Sequence, residues 1–572
     1  MYISPMNLSR ISARLIPAFC VLITISFTPF LNRDPVNPIR MILITVLGAI
    51  LFSVILISYK RFKDKYSLVL FLLLFLLDLF LVYFFSGANR IEQLYGTIGR
   101  NYGLVTQVSL IIICIASYVF STRDFINRFS KTIILASGIN MAYGTMQIME
   151  IDPVKNWSIW NGLAIGFFGN PNQYSSFTAI VASVVFCKIL IPGRGMSEQA
   201  GSIAFILFSI FSLFFADSTQ GWAILAVGIV ASITIKLMIS SRKKLFSKLF
   251  ITCVLISSAI SVLDIFQKVP WKPLLFSETV TYRGDYWRAG VTMGLEHPWF
   301  GVGLDQYLNS YRVSRDALTA GRSVSQEVSD SAHNLFIDYF AFGGIPLITI
   351  YILIQILVFL KIVNIIKRSA TYDSGTVALI VAFFGFFLQS LISPVSLSVI
   401  VWSWVATGLI LGLPTDRGVI KVDMKKNKGD LGITENSNFQ HTKFSVFLIC
   451  LISSVIGIVI SSPFLIKDMN VRNAFKPNST ISAVYNSAYI WPKYATWMAE
   501  ASWLLYYNGE ASKSLKIAQD ATKYDPNNYL AWLSLYSRTD LDPALKKIVE
   551  ENILRLEPRK ENIIKAKFQP NN

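Results

Sequence analysis

The chain has 572 residues, of which 53% are apolar and only 15% are charged. A soluble globular protein carries about a quarter charged residues, so this composition excludes an ordinary soluble domain. The net charge of +18 would suit a nucleic-acid-binding protein. The basic residues, however, collect in short segments between apolar blocks, as they do in the cytoplasmic loops of membrane proteins. We therefore expect membrane lipid, and no nucleic acid, to be in contact with this chain.

Long apolar blocks run through most of the sequence and are nearly free of charge. Blocks of about 17–25 residues match the thickness of a bilayer core, where only helices or closed barrels satisfy the backbone hydrogen bonds. Because barrel alternation is missing, the pattern predicts an all-α fold, a polytopic membrane helical bundle of about 13 spans. The spans are expected at residues 12–31, 39–58, 67–86, 103–120, 131–150, 174–191, 201–216, 220–240, 249–264, 341–362, 376–393, 396–413 and 444–463.

The connections between spans alternate in charge and so predict an orientation. One set is basic: residues 59–65, 123–131, 241–248, 367–368 and 417–443. The other set is balanced: residues 32–38, 86–102, 152–173 and the long loop 264–338. The positive-inside rule places the basic set in the cytoplasm. The N-terminus is then cytoplasmic, and an odd number of spans puts the long loop and the C-terminus on the opposite side.

Few residues are suited to metal binding or ion transport. The five cysteines, which fall in or beside apolar spans, are interpreted as packing residues: Cys20, Cys114, Cys187, Cys253 and Cys450. The three histidines, His297, His333 and His441, are scattered and no carboxylate cluster accompanies them. We therefore expect no metal site and no cofactor. Asp78 is the main ionisable residue in the middle of a span, which disfavours an ion-coupled transporter.

The segment after the last span has the composition of a soluble helical domain. Pro492, Pro526 and Pro558 recur at about the spacing of a tetratricopeptide repeat. Trp503 and Leu515 are expected to fill the groove between paired helices, beside small alanines. The tail is predicted to lie on the long loop or the membrane surface, or to bind a protein partner. A helical hairpin that only caps the loop is an equally good interpretation.

The long loop carries the residues best suited to chemistry. Arg283 to Glu296 is predicted to form an amphipathic helix that Pro298 ends. Arginine binds phosphate through two hydrogen bonds and keeps its charge. His333 precedes a span at the water–membrane boundary, where an imidazole can act as a general base near neutral pH. Together these residues suit a substrate with a diphosphate at the membrane surface and a lipid tail in the bilayer.

Three ordered motifs resemble the O-antigen ligase and polysaccharide polymerase superfamily. They are Gly169-Asn170-Pro171-Asn172, the run Arg283…Trp287…His297-Pro298-Trp299-Phe300-Gly301-Val302-Gly303, and His333-Asn334-Leu335…Gly343-Gly344-Ile345-Pro346. The similarity covers roughly residues 100–415 and leaves the tail as an appendage. Each motif lies at a span boundary on the same predicted side of the membrane.

The resemblance implies a metal-independent glycosyltransferase of the GT-C type in the bacterial inner membrane. Such enzymes move a glycan from an undecaprenyl-diphosphate donor to an acceptor hydroxyl on the periplasmic side. The acceptor is the core of a glycolipid (lipid A-core) in ligases, a second lipid-linked repeat unit in polymerases, and a protein in the related oligosaccharyltransferases. By this resemblance His333 would be the base that activates the acceptor, and Arg283 would bind the diphosphate.

The sequence departs from the family pattern at Gln220. Many family members have an arginine there that is thought to help hold the diphosphate, whereas glutamine donates hydrogen bonds without charge. Three residues are candidates for the second cation: Arg288, Arg322 and Arg100. The turn that contains Asn170 and Asn172 is predicted to shape the floor of the site, with Asn172 as a helix cap. His297 is expected to have a packing role, and Trp157, Trp160, Trp287 and Trp299 are expected to be interfacial anchors.

The expected organisation has five parts and one leading function. The parts are N-terminal spans 1–100, the ligase-like core 101–415 with its loop 265–338, a basic linker 416–443, the last span 444–466 and the periplasmic tail 467–572. An O-antigen ligase-like transferase of lipopolysaccharide biosynthesis is the leading hypothesis. A polymerase or a protein O-oligosaccharyltransferase of the same superfamily is the alternative. A glycolipid exporter or an assembly scaffold represents a different class.

Overall fold

A computed structural model describes residues 5–58, 66–154, 160, 162–190, 195–239, 252, 278–316, 319–320, 328–368, 373–414 and 437–558. Every regular element in these ranges is helical, which confirms the all-α fold class. The predicted span 249–264, Arg322, Trp157 and Cys253 lie outside the described residues, as do most of the basic connections. The orientation across the membrane therefore stays a prediction.

The described residues before the tail contain fifteen α-helices, including short ones in the connections. The first thirteen are α1 (Pro5–Ile25), α2 (Asn37–Ile57), α3 (Tyr66–Phe85), α4 (Arg90–Tyr95), α5 (Leu104–Val119), α6 (Arg123–Ile148), α7 (Pro171–Ile189), α8 (Met196–Ala216), α9 (Thr219–Ile239), α10 (Glu278–Glu296), α11 (Tyr307–Ser314), α12 (Leu335–Arg368) and α13 (Ser374–Ile392). The last two, α14 (Leu397–Gly412) and α15 (Ser437–Ala474), lead to the tail. Among the described residues, eight helices are long and apolar enough to cross a membrane.

Every predicted span except 249–264 lies on one of these helices, but several boundaries differ from the prediction by six residues or more. The first helix ends at Ile25 rather than at residue 31, because Thr28 and Pro35 close a turn through a 2.8 Å backbone hydrogen bond. The span predicted from residue 341 begins at Leu335 and is interrupted at Gly344. The last helix continues to Ala474, well past the expected end near residue 463.

Small residues allow the central helices to pack closely. A Cβ on Gly408 of α14 would lie 2.3 Å from the carbonyl oxygen of Cys114 on α5. A Cβ on Gly228 of α9 would lie 2.0 Å from Ser183 Oγ on α7. Close backbone approach at glycine and serine is a typical way for helices to associate in lipid. Of the described cysteines, Cys20, Cys114 and Cys187 are buried, as expected, whereas Cys450 is only partly buried.

Asp78 is buried in α3, as predicted, but the sequence analysis missed a second buried ionisable residue. Arg40 in the first turn of α2 has no exposed surface. Its Nη2 donates to the carbonyl oxygens of Thr24 and Phe167, at 3.2 and 2.6 Å. Arg40 thus ties the end of α1 to the segment that precedes the Gly169–Asn172 turn.

The tail forms five helices that pack as antiparallel neighbours. They are α16 (Ile481–Tyr489), α17 (Ala495–Tyr507), α18 (Ala511–Tyr524), α19 (Tyr529–Tyr536) and α20 (Pro543–Leu556). Leu505 and Ile517 fill the contact between α17 and α18, whereas Trp503 and Leu515 are only half-buried. The residues that fill this groove therefore lie two positions after each of the two expected ones. The repeat-like character of the tail stays a prediction.

The tail lies on the loop side of the membrane part. Tyr494 donates its hydroxyl to the carbonyl oxygen of Gly96 at 2.9 Å. Glu557, which has no exposed surface, accepts hydrogen bonds from Arg312 at 2.9 Å and Arg315 at 2.8 Å. The tail is therefore joined to the long loop at Arg312 and Arg315 and to the 86–102 connection at Gly96.

Candidate functional site

His333 stands at the start of α12 in an unusual backbone conformation. Its φ angle is 54°, in the left-handed region that non-glycine residues seldom adopt. Ser331 Oγ accepts the His333 backbone N–H at 3.0 Å. Asn334 caps the helix by accepting the N–H groups of Phe336 and Ile337. Asp338, one turn into the helix, accepts the N–H of Ala332 at 2.7 Å. The His-Asn-Leu motif thus fixes the direction of one imidazole.

The ring of His333 has a defined hydrogen-bonding arrangement. Nδ1 lies 3.3 Å from the carbonyl oxygen of Ser331. Nδ1 also lies 3.4 Å from Ser331 Oγ. In the tautomer with the proton on Nδ1, the ring donates to the Ser331 carbonyl and the lone pair is on Nε2. The other side of the ring contacts the ring of Tyr286, with centroids 5.2 Å apart. The imidazole is therefore held between a backbone turn and an aromatic ring of α10.

Arg283 precedes Tyr286 by one turn on α10, so the two side chains share a helix face. The helix begins at Glu278 and ends at Glu296 before Pro298, which confirms the helix predicted there. Arg283 is half-buried and makes no ion pair with another described residue. Burial lowers the pKa of Arg283, and the positive charge of Arg283 in turn contributes to lowering the pKa of His333. Arg283 therefore offers a cation whose charge acts on the imidazole.

Burial is the largest influence on His333 and lowers its pKa below the ordinary 6.5. The carboxylate of Asp330 acts in the opposite direction, and Arg283 and Arg100 act with burial. An imidazole with a lowered pKa is neutral at pH 7. A neutral imidazole is the form that can accept a proton.

Arg100, which is buried, is the centre of an ionic cluster that includes Asp338 of α12. Its Nε donates to Asp305 Oδ1 at 2.9 Å and its Nη1 to the carbonyl oxygen of Asp330 at 2.8 Å. Its Nη2 lies 3.8 Å from Asp338 Oδ2. Burial alone would lower the pKa of Arg100, but the three carboxylates raise it above its ordinary value. The guanidinium is thus charged and surrounded by acids.

Asp305 holds this cluster against the backbone of the 97–102 segment. Its Oδ2 accepts the N–H groups of Thr97 at 2.8 Å and Tyr102 at 3.2 Å. Its φ angle is 58°, directly after the Gly301-Val302-Gly303 run. The cluster therefore joins three segments that are far apart in sequence. Sequence reasoning missed Asp305, Asp330, Asp338 and Tyr286, although Asp338 lies one turn after Asn334 in the same motif.

The Gly301-Val302-Gly303 run is joined to α12 by backbone hydrogen bonds. Val302 N donates to Ala341 O at 2.8 Å, and Gly303 N donates to Phe342 O at 3.1 Å. Ile345 N donates to Pro298 O at 2.7 Å, across the break in α12 at Gly344. His297 is exposed and contributes its backbone to this turn, so the packing role expected for its side chain was wrong. The second and third motifs therefore form one unit.

The first motif, at the start of α7, lines a cleft together with Arg100. Asn170 caps α7 by accepting the N–H groups of Asn172 at 2.9 Å and Gln173 at 3.3 Å. The cap predicted at Asn172 was therefore wrong, because Pro171 already occupies the first helical position. Asn172 Oδ1 instead accepts the hydroxyl of Ser218 at 2.7 Å. Asn170 and Arg100 both line a cleft of about 330 Å³.

Gln220 lies at the start of α9 and joins two other elements. Its Nε2 donates to Ser176 Oγ on α7 at 2.7 Å and to Ser393 Oγ at 2.6 Å. The side chain is buried, and its amide hydrogens are both used in these bonds. Gln220 thus secures the segment that follows α13, and a role in binding substrate stays a prediction.

The candidates for a second cation lie in different surroundings. Arg288 is half-exposed and pairs with Asp316, Nε to Oδ2, at 2.8 Å, and with Asp285. Arg100 pairs with carboxylates as described, and Arg322 lies outside the described residues. Of the interfacial tryptophans, Trp160 and Trp299 are exposed, whereas Trp287 packs partly against the core.

These features define a polytopic helical membrane protein whose connections assemble a histidine, a nearby arginine and a cleft on one side of the bundle. Residues 204–352 match the family described as O-antigen ligase. This match confirms the predicted resemblance to the O-antigen ligase superfamily, whose members are ligases or glycosyltransferase-like proteins. No curated protein matches the chain. The matched segment includes Gln220, Arg283 and His333.

Proposed function

We propose that this protein is an O-antigen ligase-like glycosyltransferase of the bacterial inner membrane. It takes a glycan from undecaprenyl diphosphate and transfers it to an acceptor hydroxyl, on lipid A-core or a similar glycolipid, at the periplasmic surface. The observation that carries the proposal is the arrangement of His333 and Arg283. His333, whose Nδ1 contacts the Ser331 carbonyl, is influenced by the charge of Arg283, which makes no ion pair with another described residue. We assign the Nδ1-protonated tautomer, in which Nε2 carries the lone pair.

In the proposed reaction His333 acts as the general base. Nε2 takes the proton of the acceptor hydroxyl while the acceptor oxygen attacks the anomeric carbon of the donor sugar. The bond from that carbon to the diphosphate oxygen breaks, and undecaprenyl diphosphate leaves with the electron pair. The Ser331 carbonyl oxygen accepts a hydrogen bond from Nδ1–H and so stabilises the imidazolium that forms.

Arg283 binds the diphosphate and offsets the charge that develops on the leaving group. A guanidinium can make two parallel hydrogen bonds to phosphate oxygens, and such charge-assisted bonds are the stronger kind. The low exposure of Arg283 strengthens this attraction, since water screens it less. The apolar helices beside the site would hold the lipid chain of the donor.

The direct experiment is glycan transfer by the purified protein, with undecaprenyl-diphosphate glycan as the donor. Lipid A-core and additional lipid-linked repeat units are tested separately as acceptors, so that the productive acceptor distinguishes a ligase from a polymerase. We expect His333→Gln and Arg283→Gln each to lower kcat/KM at least about a hundredfold.

The matched control is His297→Gln, on the same loop but with an exposed side chain. It should retain wild-type transfer. Equal activity of His333→Gln and wild type would refute the proposed base. If the double variant His333→Gln, Arg283→Gln still supports surface glycan assembly in cells, a role as scaffold or exporter would fit the protein better than a role as an enzyme.

A further inference from the structure

The cleft beside Arg100 has no role in the reaction described above. Its walls come from the 34–37 segment, the Gly169-Asn170 turn, the start of α7 and the 394–396 segment. Its volume of about 330 Å³ is at the lower end of the range for small-molecule sites, about 300–1,000 Å³. The proposed base lies close by, because Asp330 lines the cleft three residues before His333.

Three uncharged side chains can offer hydrogen bonds to a molecule in this cleft. The Asn170 amide uses its oxygen to cap α7, and its Nδ2 makes no hydrogen bond to another described residue. The Gln173 side chain and the Ser396 hydroxyl likewise make none within the described part of the chain. Neutral donors and acceptors of this kind recognise hydroxyl groups, which both donate and accept.

The charges of the cleft are unsuited to a phosphate. Among the described residues that line it, Arg100 is the one cation, and Asp305, Asp330 and Asp338 already surround its guanidinium. Asp34 and Asp330 add carboxylates to the lining. A second anion would be repelled by these carboxylates, whereas sugar hydroxyls can donate to them.

We propose that this cleft binds the sugar of the acceptor that carries the attacking hydroxyl. This inference rests on the proposed function and divides the site into an acceptor cleft and a donor diphosphate site. The neutral residues Asn170, Gln173 and Ser396 select an uncharged sugar on one side of His333. Arg283 binds the donor diphosphate on the other. Gln220 maintains the cleft indirectly, since its bond to Ser393 holds the segment that leads to Ser396.

The test measures equilibrium binding by the full-length protein in detergent, with two probes. One probe is the core oligosaccharide released by mild acid from the host lipopolysaccharide and then dephosphorylated. The other is inorganic pyrophosphate. We expect Gln173→Leu with Ser396→Ala to raise the Kd for the oligosaccharide about tenfold, because two hydrogen bonds are lost. The Kd for pyrophosphate should stay within about twofold of wild type.

Arg283→Gln should give the opposite result, with weaker pyrophosphate binding and unchanged oligosaccharide binding. Gln199→Leu with Ser202→Ala makes the same substitutions on α8, outside the cleft lining, and should bind both probes as wild type does. The proposal is overturned if wild type does not bind the oligosaccharide, or if the cleft variant loses pyrophosphate binding instead. Wild-type protein that binds the oligosaccharide at the cleft but transfers no glycan would keep the saccharide site and refute only the reaction.

Discussion

At the residue scale, the local backbone determines what His333 can do. The left-handed conformation at His333 and the Ser331 carbonyl together orient the ring so that Nδ1 faces the protein and Nε2 faces away from that turn. Non-glycine residues in this conformation are uncommon and often mark functional sites. The surrounding hydrogen bonds of Asn334 and Asp338 stabilise the conformation. A base in this position loses little entropy when the substrate arrives.

The pH dependence of transfer should reveal the environment of His333. Burial lowers its pKa below 6.5, so the neutral base persists as the pH falls through that value. We expect the acid limb of kcat/KM to lie below pH 6.5 in wild type. The Asp330 carboxylate raises the pKa, so Asp330→Asn should move the limb to still lower pH.

The measurement is a pair of pH–rate profiles between about pH 5 and 8. Asp316→Asn, which alters the ion pair of Arg288 instead, is the control and should leave the limb in place. A limb that moves upward in Asp330→Asn would contradict the assigned electrostatics.

At the scale of elements, the site depends on one broken helix. α12 has its break at Gly344, where φ is 68° and ψ is −156°. The turn that begins at Pro298 inserts at this break and bonds to it from both sides. The short first part of α12 can thereby present His333 while the second part continues as an apolar helix. The sequence analysis placed Gly343, Gly344 and Pro346 in a continuous span, and it predicted neither the break nor that the 297–303 turn would occupy it.

Gly344→Ala should destabilise the protein strongly. A Cβ there would lie 2.2 Å from the Pro298 carbonyl oxygen, in a backbone conformation that disfavours alanine. We expect a loss of about 2–5 kcal/mol in the free energy of unfolding, from overpacking and backbone strain together. Gly87 also has a positive φ, +78°, but an added Cβ there would meet no atom within 4 Å. Gly87→Ala should therefore lower the free energy of unfolding by only about 1–2 kcal/mol.

Unfolding of both variants can be followed by heat or denaturant in detergent. If both substitutions lower the free energy of unfolding equally, backbone strain alone would explain the effect at Gly344, and steric overlap with the 297–303 turn would be refuted.

At the scale of the whole molecule, the tail is part of the structure around the site. Glu557 at the end of α20 binds Arg312 and Arg315, which belong to the loop that also contains Asp305. Tyr494 bonds to Gly96, the residue before Thr97 in the segment that Asp305 holds. The tail thus contacts two of the three segments that form the Arg100 cluster. A role in binding a protein partner stays a prediction.

Glu557→Ala should therefore weaken the whole assembly. Breaking a buried ion pair costs about 3–5 kcal/mol, and this carboxylate is fully buried between two arginines. Glu500→Ala removes the more exposed pair with Arg33 and should cost about 0–1 kcal/mol. The comparison is the thermal unfolding midpoint of each variant, with transfer activity as the second measurement. Similar midpoints for both variants would argue against a structural role for Glu557.

The sequence by itself determined the membrane class, the position of nearly every span and the three motifs of the site. These features depend on local composition and on short-range turn chemistry, which the chain order already contains. The tertiary structure alone decided which groups meet. Asp305, Asp330 and Asp338 come to Arg100 from segments some 200 residues away, and Gln173 meets Ser396 across a cleft. No local sequence pattern predicts these contacts, because they arise from the packing of helices whose faces are all apolar.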